Sequence, residues 1–478
     1  MKKNIKWLLL VSLSFVACNN DDEVVAEVPV TAGSANFSKY VALGDSFAAG
    51  FSDSALFIKG QQNSYPNILA GQFAQAGGGA FTNPLMSDNI GGFAGSPIYT
   101  PRLVFNGSGP ASLALPPYSQ AATTSQTAIL SGSFNNMGIP GAKSFHLITA
   151  GYGSVAGNPY FARFASNPMA KVIDDAIAQT PTFFSLWIGG NDVLGYATGG
   201  GVTTTESPST GNNITPNATF DASYNALASQ LAAGGKKGVV ANLPYVSTLP
   251  YFSRVPYNPV TLNATQVAQL NSGYAAYNAG LTSAVAGLGL TQAEADRRKV
   301  VFVVGLNPVI IVDNYLMNLT GFGIPSYRPA TKEDLLVLPA SSFIGTLVGG
   351  NPAAINGVSV PLADRWVLCK NEAAEIKIAT DHYNTTIEAA ANTNGLAFVN
   401  AKKIMDQLVN GGIRFGNYHM SATYVTGGAF SLDGVHPGAR GYALIANKFA
   451  EAINAKYGST LRPVDLGNYQ IQYPAIIN

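Results

Sequence analysis

Gly44-Asp45-Ser46 closes the apolar run Tyr40–Leu43, and Ser431-Leu432-Asp433-Gly434-Val435-His436 lies near the other end of the chain. A serine hydroxyl is a weak nucleophile until an imidazole takes its proton, and the imidazole needs a carboxylate to fix its tautomer and steady the charge it gains. Ser46, His436 and Asp433 are therefore the candidates for an acyl-transfer triad. The chain has four histidines, His146, His382, His419 and His436. Of these, only His436 shares a turn with a carboxylate, just before the amphipathic pattern Ala439–Ala455, where both side chains would face one cleft. His382 falls on the charged side of a helical pattern and is expected to be solvated. His146 and His419 are expected to pack or to lie at the surface.

Two further blocks offer hydrogen-bond donors for a carbonyl oxygen that gains charge. In Ile188-Gly189-Gly190-Asn191-Asp192, at the end of an apolar run, the Asn191 amide can donate without carrying a charge itself. In Asn136-Met137-Gly138-Ile139-Pro140-Gly141-Ala142, a glycine N–H in a tight turn could supply another donor. Either block could equally be a plain turn. Ser46 precedes Phe47-Ala48-Ala49-Gly50, and a strand ending at a helix start would set its hydroxyl beside free backbone N–H groups. No Gly-x-Ser-x-Gly elbow occurs, which argues against the α/β-hydrolase fold.

In this order, Gly-Asp-Ser, Asn-x-Gly-x-x-Gly, Gly-x-Asn-Asp and Asp-x-x-His-Pro, the four blocks resemble the SGNH (GDSL-type) hydrolase family. The resemblance implies a flavodoxin-like three-layer α/β/α fold with a parallel central sheet. It also implies Ser46 as nucleophile, Asp433 and His436 completing the triad, and an oxyanion hole made by the N–H groups of Ser46 and Gly141 with the Asn191 side chain. The expected activity is that of a serine esterase or lipase working on carboxylic esters through an acyl-enzyme. Because the family also deacetylates polysaccharides, an acetylated glycan is the alternative substrate. A surface binding protein that keeps the scaffold without turnover is the rival from another class. Phe47 stands where the family usually has leucine, a conservative apolar change.

Runs rich in β-branched and aromatic residues predict buried parallel strands at Tyr40–Leu43, Phe183–Ile188, Gly238–Asn242 and Val300–Val304, with a fifth at Leu396–Val399. Helical patterns at Ala170–Ala178, Tyr224–Ala233, Ala264–Val285 and Glu372–Ala391 alternate with them, as in a sheet covered on both faces. In such sheets ligands bind at the carboxyl ends of the strands, where Ser46 and Asn191 would sit. One hydrolase domain is expected over 39–478, interrupted by insertions near 74–133, 197–216 and 307–361. The apolar pieces Phe81–Leu85, Ala111–Tyr118 and Phe322–Tyr327 are expected to line an acyl pocket.

The first 17 residues read as an export signal, with Lys2, Lys3 and Lys6 ahead of an apolar stretch, Trp7–Ala17, too short to span a bilayer. Phe15-Val16-Ala17-Cys18 resembles the lipobox of bacterial lipoproteins, which implies cleavage before Cys18 and lipidation of that residue. Residues 18–38 would then form a tether, and the acidic stretch Asn19–Glu23 resembles the surface-export signals of Bacteroidetes lipoproteins. The expected location is the bacterial outer membrane, with the lipid anchor as the membrane contact. Cys369 is the one other cysteine, so the mature chain can form no internal disulfide, and its apolar neighbours Trp366–Leu368 predict a buried, inert thiol.

Composition excludes several classes. With 27 Lys+Arg against 26 Asp+Glu there is no basic field for a nucleic acid. No metal-ligand spacing or Walker A sequence is present, and Gly151-x-Gly153 lacks the third glycine of a dinucleotide site, so no cofactor is expected.

Overall fold

The computed structural model describes residues 29–203 and 211–477. The expected signal peptide and Cys18 lie outside the described residues. At the centre is a five-stranded parallel sheet of β1 (Tyr40–Gly44), β2 (Asn136–Gly138), β3 (Phe183–Trp187), β4 (Lys237–Ala241) and β5 (Ala397–Val399), in the spatial order β2-β1-β3-β4-β5. That is the doubly wound order of flavodoxin-like folds. All five residues of β1 and of β3 are buried, as expected of strands covered on both faces.

One helical layer contains α2 (Tyr65–Ala74) packed against α7 (Ala439–Tyr457). The other contains α3 (Val172–Ala178), α5 (Asn217–Ala232) and α6 (Lys370–Thr393). Two short helices start at the carboxyl ends of the middle strands, α1 (Ser46–Ala49) after β1 and α4 (Asn191–Thr198) after β3. The chain leaves β1 towards one edge of the sheet and β3 towards the other. The crevice between their carboxyl ends is the topological switch point, where such sheets bind ligands.

Two expectations about the sheet need correcting. Val300–Val304 is not a strand of it. Its side chains alternate as a strand's would, with Val300 and Phe302 buried and Val301, Val303 and Val304 exposed, but asparagines take the place of a neighbouring strand. Asn278 accepts from the Val300 N–H and donates to its carbonyl, Asn271 does the same for Phe302, and Asn307 for Val303. The fifth strand is instead Asn136–Gly138, at the edge beside β1. Its three residues are too short and too polar to show a strand pattern.

The helical pattern Ala264–Val285 likewise lies outside the sheet layers. It forms two helices, Ala264–Gly273 and Ala275–Gly287, which pack with the Val300 segment and with Ile310, Leu319, Ile324 and Val358 in two small cores of their own. Arg328, buried there, pairs with Asp313 and Asp334. The folded excursion thus starts well before 307. At the other end of the domain, the stretch expected as tether is seated from Pro29 onward. Thr31 exchanges bonds with Thr460, Ser34 N–H donates to the Tyr457 carbonyl, and Phe37 stacks on Phe73 in the core. Among the described residues no helix is long and apolar enough to cross a membrane.

Candidate active site

Ser46 is the first residue of α1, so its N–H has no acceptor within the helix. Asp45 caps the turn by accepting from the Phe47 N–H. Gly44 is required by close approach, because a Cβ there would lie 2.4 Å from the Trp187 carbonyl oxygen of β3. The Gly-Asp-Ser block is thereby explained locally: glycine lets β1 and β3 meet, aspartate starts the helix, and serine sits over the crevice.

His436 Nε2 lies 2.8 Å from Ser46 Oγ, and His436 Nδ1 lies 2.9 Å from Asp433 Oδ2. Asp433 is over-determined, since its Oδ1 also accepts from the N–H groups of Val435 and His436 and its Oδ2 from that of Ser54. Burial alone would raise its carboxyl, but the His436 ring and these N–H donors outweigh burial and hold it down at about 2. It is thus an anion at any pH at which the protein would work. The rings of Phe47 and Phe51 lie 5.4 and 4.7 Å from the imidazole and wall it off. Ser46 is 5% exposed, so its hydroxyl sits in a tight cleft.

The structure also brings the two donor blocks together. The Asn191 amide donates to the Ala142 carbonyl at 3.0 Å, which sets it beside Gly141, an exposed residue with a φ of +80° that favours glycine. The next residue, Asp192, is buried and takes both the N–H and the hydroxyl of Ser144 at 2.8 Å. Asn191-Asp192 therefore staples the Gly141–Ser144 turn to the end of β3. Gly190 in turn lies against Asp45, with room for a Cβ only 3.5 Å from Asp45 Oδ2.

A clasp that sequence reasoning missed holds the Asp433–His436 loop. In the turn after α1, Ser52 Oγ donates to the Pro437 carbonyl, Asp53 N–H to Ser431 Oγ, and Ser54 N–H to Asp433. In return, Leu432 N–H donates to Asp53 Oδ1. Asp53 and Ser54 both have left-handed backbones, φ +52° and +66°, a strain retained where surrounding bonds over-determine the turn. No local pattern in Ser-Asp-Ser marks this role, because every partner lies far along the chain.

Burial pushes the Asp53 carboxyl up to about 7, with the Asp433 charge nearby acting in the same direction. Burial likewise pushes Asp45 up to about 7 and Asp192 to about 6. The folded protein thus keeps protons that the unfolded chain releases near about pH 3.9. Stability from these groups is fully present below that pH and is lost as pH rises through 6 to 7. The melting temperature should accordingly fall between about pH 4 and 7 and level off above that, and Asp53→Asn should flatten part of that fall while keeping the bond to Leu432. Asp53→Ala leaves that buried N–H without an acceptor, which should cost about 1–3 kcal/mol of stability, with kcat about tenfold down as His436 loses alignment. Melting curves and kcat for the two variants check this. Equal losses in both would deny the clasp its part.

The other histidines stay apart from the cleft. His146 is buried, stacked on Tyr152 and pushed down to about 4 by burial, and His419 sits on an exposed hairpin with its Nε2 on the Gly411 carbonyl. His382 is half-buried and has a partner, Asp221, at 2.9 Å, which corrects the expectation of a merely solvated side chain. Cys369 is buried, and burial pushes its thiol up to about 12.

Two of the three apolar pieces expected to line an acyl pocket lie elsewhere. Phe81 stacks on Tyr40 in the core, and Phe322–Tyr327 lines a cavity of about 1200 Å³ with the Ala264–Gly287 helices, away from the triad. The space beside Asp433 is a groove of about 870 Å³ walled by Phe105, Tyr251, Arg254, Pro339 and Tyr424. Among the described residues there is no cluster of three or more His, Cys, Asp or Glu side chains suited to hold a metal.

No protein-family model matches the chain, and no curated protein does. Among solved structures, the chain is similar to a mutant acetyl-xylooligosaccharide esterase from Geobacillus, at 11% identity and a TM-score of 0.33, over 90% of this chain and 99% of that one.

Proposed function

We propose that this protein is a serine esterase of the SGNH (GDSL) type. One observation carries the reading: Ser46, His436 and Asp433, from opposite ends of the chain, form a continuous line of hydrogen bonds of 2.8 and 2.9 Å at the switch point of the sheet. His436 takes the Ser46 proton as the oxygen attacks the ester carbonyl, while Asp433 holds the ring by Nδ1 and balances the imidazolium. The N–H groups of Ser46 and Gly141 and the amide of Asn191 receive the oxyanion. His436 then gives its proton to the departing alcohol. Water, activated by the same imidazole, hydrolyses the acyl-Ser46 bond, releases the acid and restores the serine.

Carboxylic esters are the proposed substrates, in the first place lipid or simple esters. The anchoring part of the proposal rests on the lipobox-like run ending at Cys18, with lipidation there tethering the enzyme to the outer membrane.

A fluorophosphonate probe separates this reading from a binding protein on the same scaffold. It should form one covalent adduct, on Ser46, and 4-nitrophenyl butyrate hydrolysis should stop in step with labelling. A native protein that takes no label would be a binding module.

A further inference from the structure

A narrow groove lies on the α7 side of the sheet, walled in part by the residues that directly follow Ser46 and His436. It is lined by Phe47, Trp187, Pro437, Leu408, Leu444 and Phe449, and it runs between the helix Ala401–Val409 and α7. The lining is almost wholly apolar, and Lys448 at one edge is held by Glu451. Two of the lining residues tie the groove to the chemistry. Phe47 follows Ser46 directly and has its ring 5.4 Å from that of His436, and Pro437 follows His436. Its free volume is about 60 Å³. That is room for roughly four to six groups the size of a water molecule or a methylene.

Resting on the esterase reading, we propose that this groove takes the acyl chain of the substrate, an unbranched fatty acyl group of about four to six carbons. The acyl group remains on Ser46 after the alcohol has left, so its site has to adjoin the nucleophile, and the ring that follows Ser46 forms the groove wall. A dry, carbon-lined slot offers a polar or sugar-bearing group no partner, whereas each methylene leaving water for it gains binding. Substrate choice by this enzyme is then a measurement of chain length, with Leu408, Leu444 and Phe449 bounding the slot.

A series of 4-nitrophenyl esters from acetate to decanoate tests this on the full mature protein, with active sites counted by the fluorophosphonate probe. From acetate upward, kcat/KM should rise about fourfold per methylene, peak at butyrate to hexanoate and fall from octanoate onward. Met405→Trp, which fills the slot from its buried side, should lower the hexanoate-to-acetate ratio at least tenfold. Leu408→Ala should instead move the peak to longer acids. Unchanged profiles in both variants would overturn the proposal, as would a wild-type optimum at acetate or a length dependence that follows the alcohol of alkyl acetates. Absence of label on wild-type Ser46 would overturn the esterase reading, and the acyl groove with it. A labelled enzyme with a flat profile would sink the groove alone.

Discussion

Ser46→Ala should abolish hydrolysis of 4-nitrophenyl butyrate, with kcat down by about 10⁴–10⁶ and the melting temperature close to that of the unmodified protein. The size of the loss follows from the loss of covalent catalysis. Without Oγ no acyl-enzyme forms, and His436 can at best activate water that the oxyanion donors help to attack. The fold should tolerate the change because Ser46 Oγ is bonded to His436 Nε2 and to little else, while Asp433 is held by three backbone N–H groups whichever residue occupies position 46. Initial rates, probe labelling and a melting curve on one preparation check this. Retention of a tenth of the activity in a folded Ser46→Ala protein would remove the serine from the mechanism.

What the sequence allowed to be read, and what it did not, divides along physical lines. The Gly-Asp-Ser block was legible because each of its residues answers a local demand: a close approach between strands, a helix cap, a hydroxyl over the crevice. Asp433 and His436 were legible because a three-residue spacing lets a carboxylate reach both the ring and the backbone of the histidine. Strands β1, β3 and β4 announced themselves as apolar runs, since a parallel strand is buried on both faces.

The failures had equally definite causes. Val300–Val304 carries the side-chain alternation of a strand, but alternation reports only which side chains are buried. It says nothing about what satisfies the backbone, and here asparagines on the preceding helices do so. Asn384 in α6 uses the same device, since it clamps the Leu243 backbone as Asn278 clamps that of Val300. The pairing of His382 with Asp221 joins two helices far apart in sequence, and so does the clasp of Ser52–Ser54 on the loop of His436. Such contacts leave no local mark. The groove between the Ala401–Val409 helix and α7 leaves no local mark for a related reason, since residues far apart in the chain line it.

Asn191 offers the sharpest remaining discrimination, because the structure gives its amide a second occupation. One amide hydrogen is engaged with the Ala142 carbonyl at 3.0 Å, which holds the turn bearing Gly141, and the proposed mechanism gives the other to the oxyanion. If the residue were a turn staple only, Asn191→Ala would cost roughly 1 kcal/mol of stability, and activity would fall no further than the loss of folded protein. That cost should be small in any case, because the Asp192 carboxylate independently fixes Ser144 in the same turn. If the amide also donates to the oxygen as charge develops, kcat should fall by about 10²–10³ with KM nearly unchanged, because the donor is needed in the transition state more than in the bound ester. We expect the second outcome. The measurement is kcat, KM and melting temperature on a single preparation of Asn191→Ala. A folded variant with near-normal kcat would leave the oxyanion to the N–H groups of Ser46 and Gly141 alone.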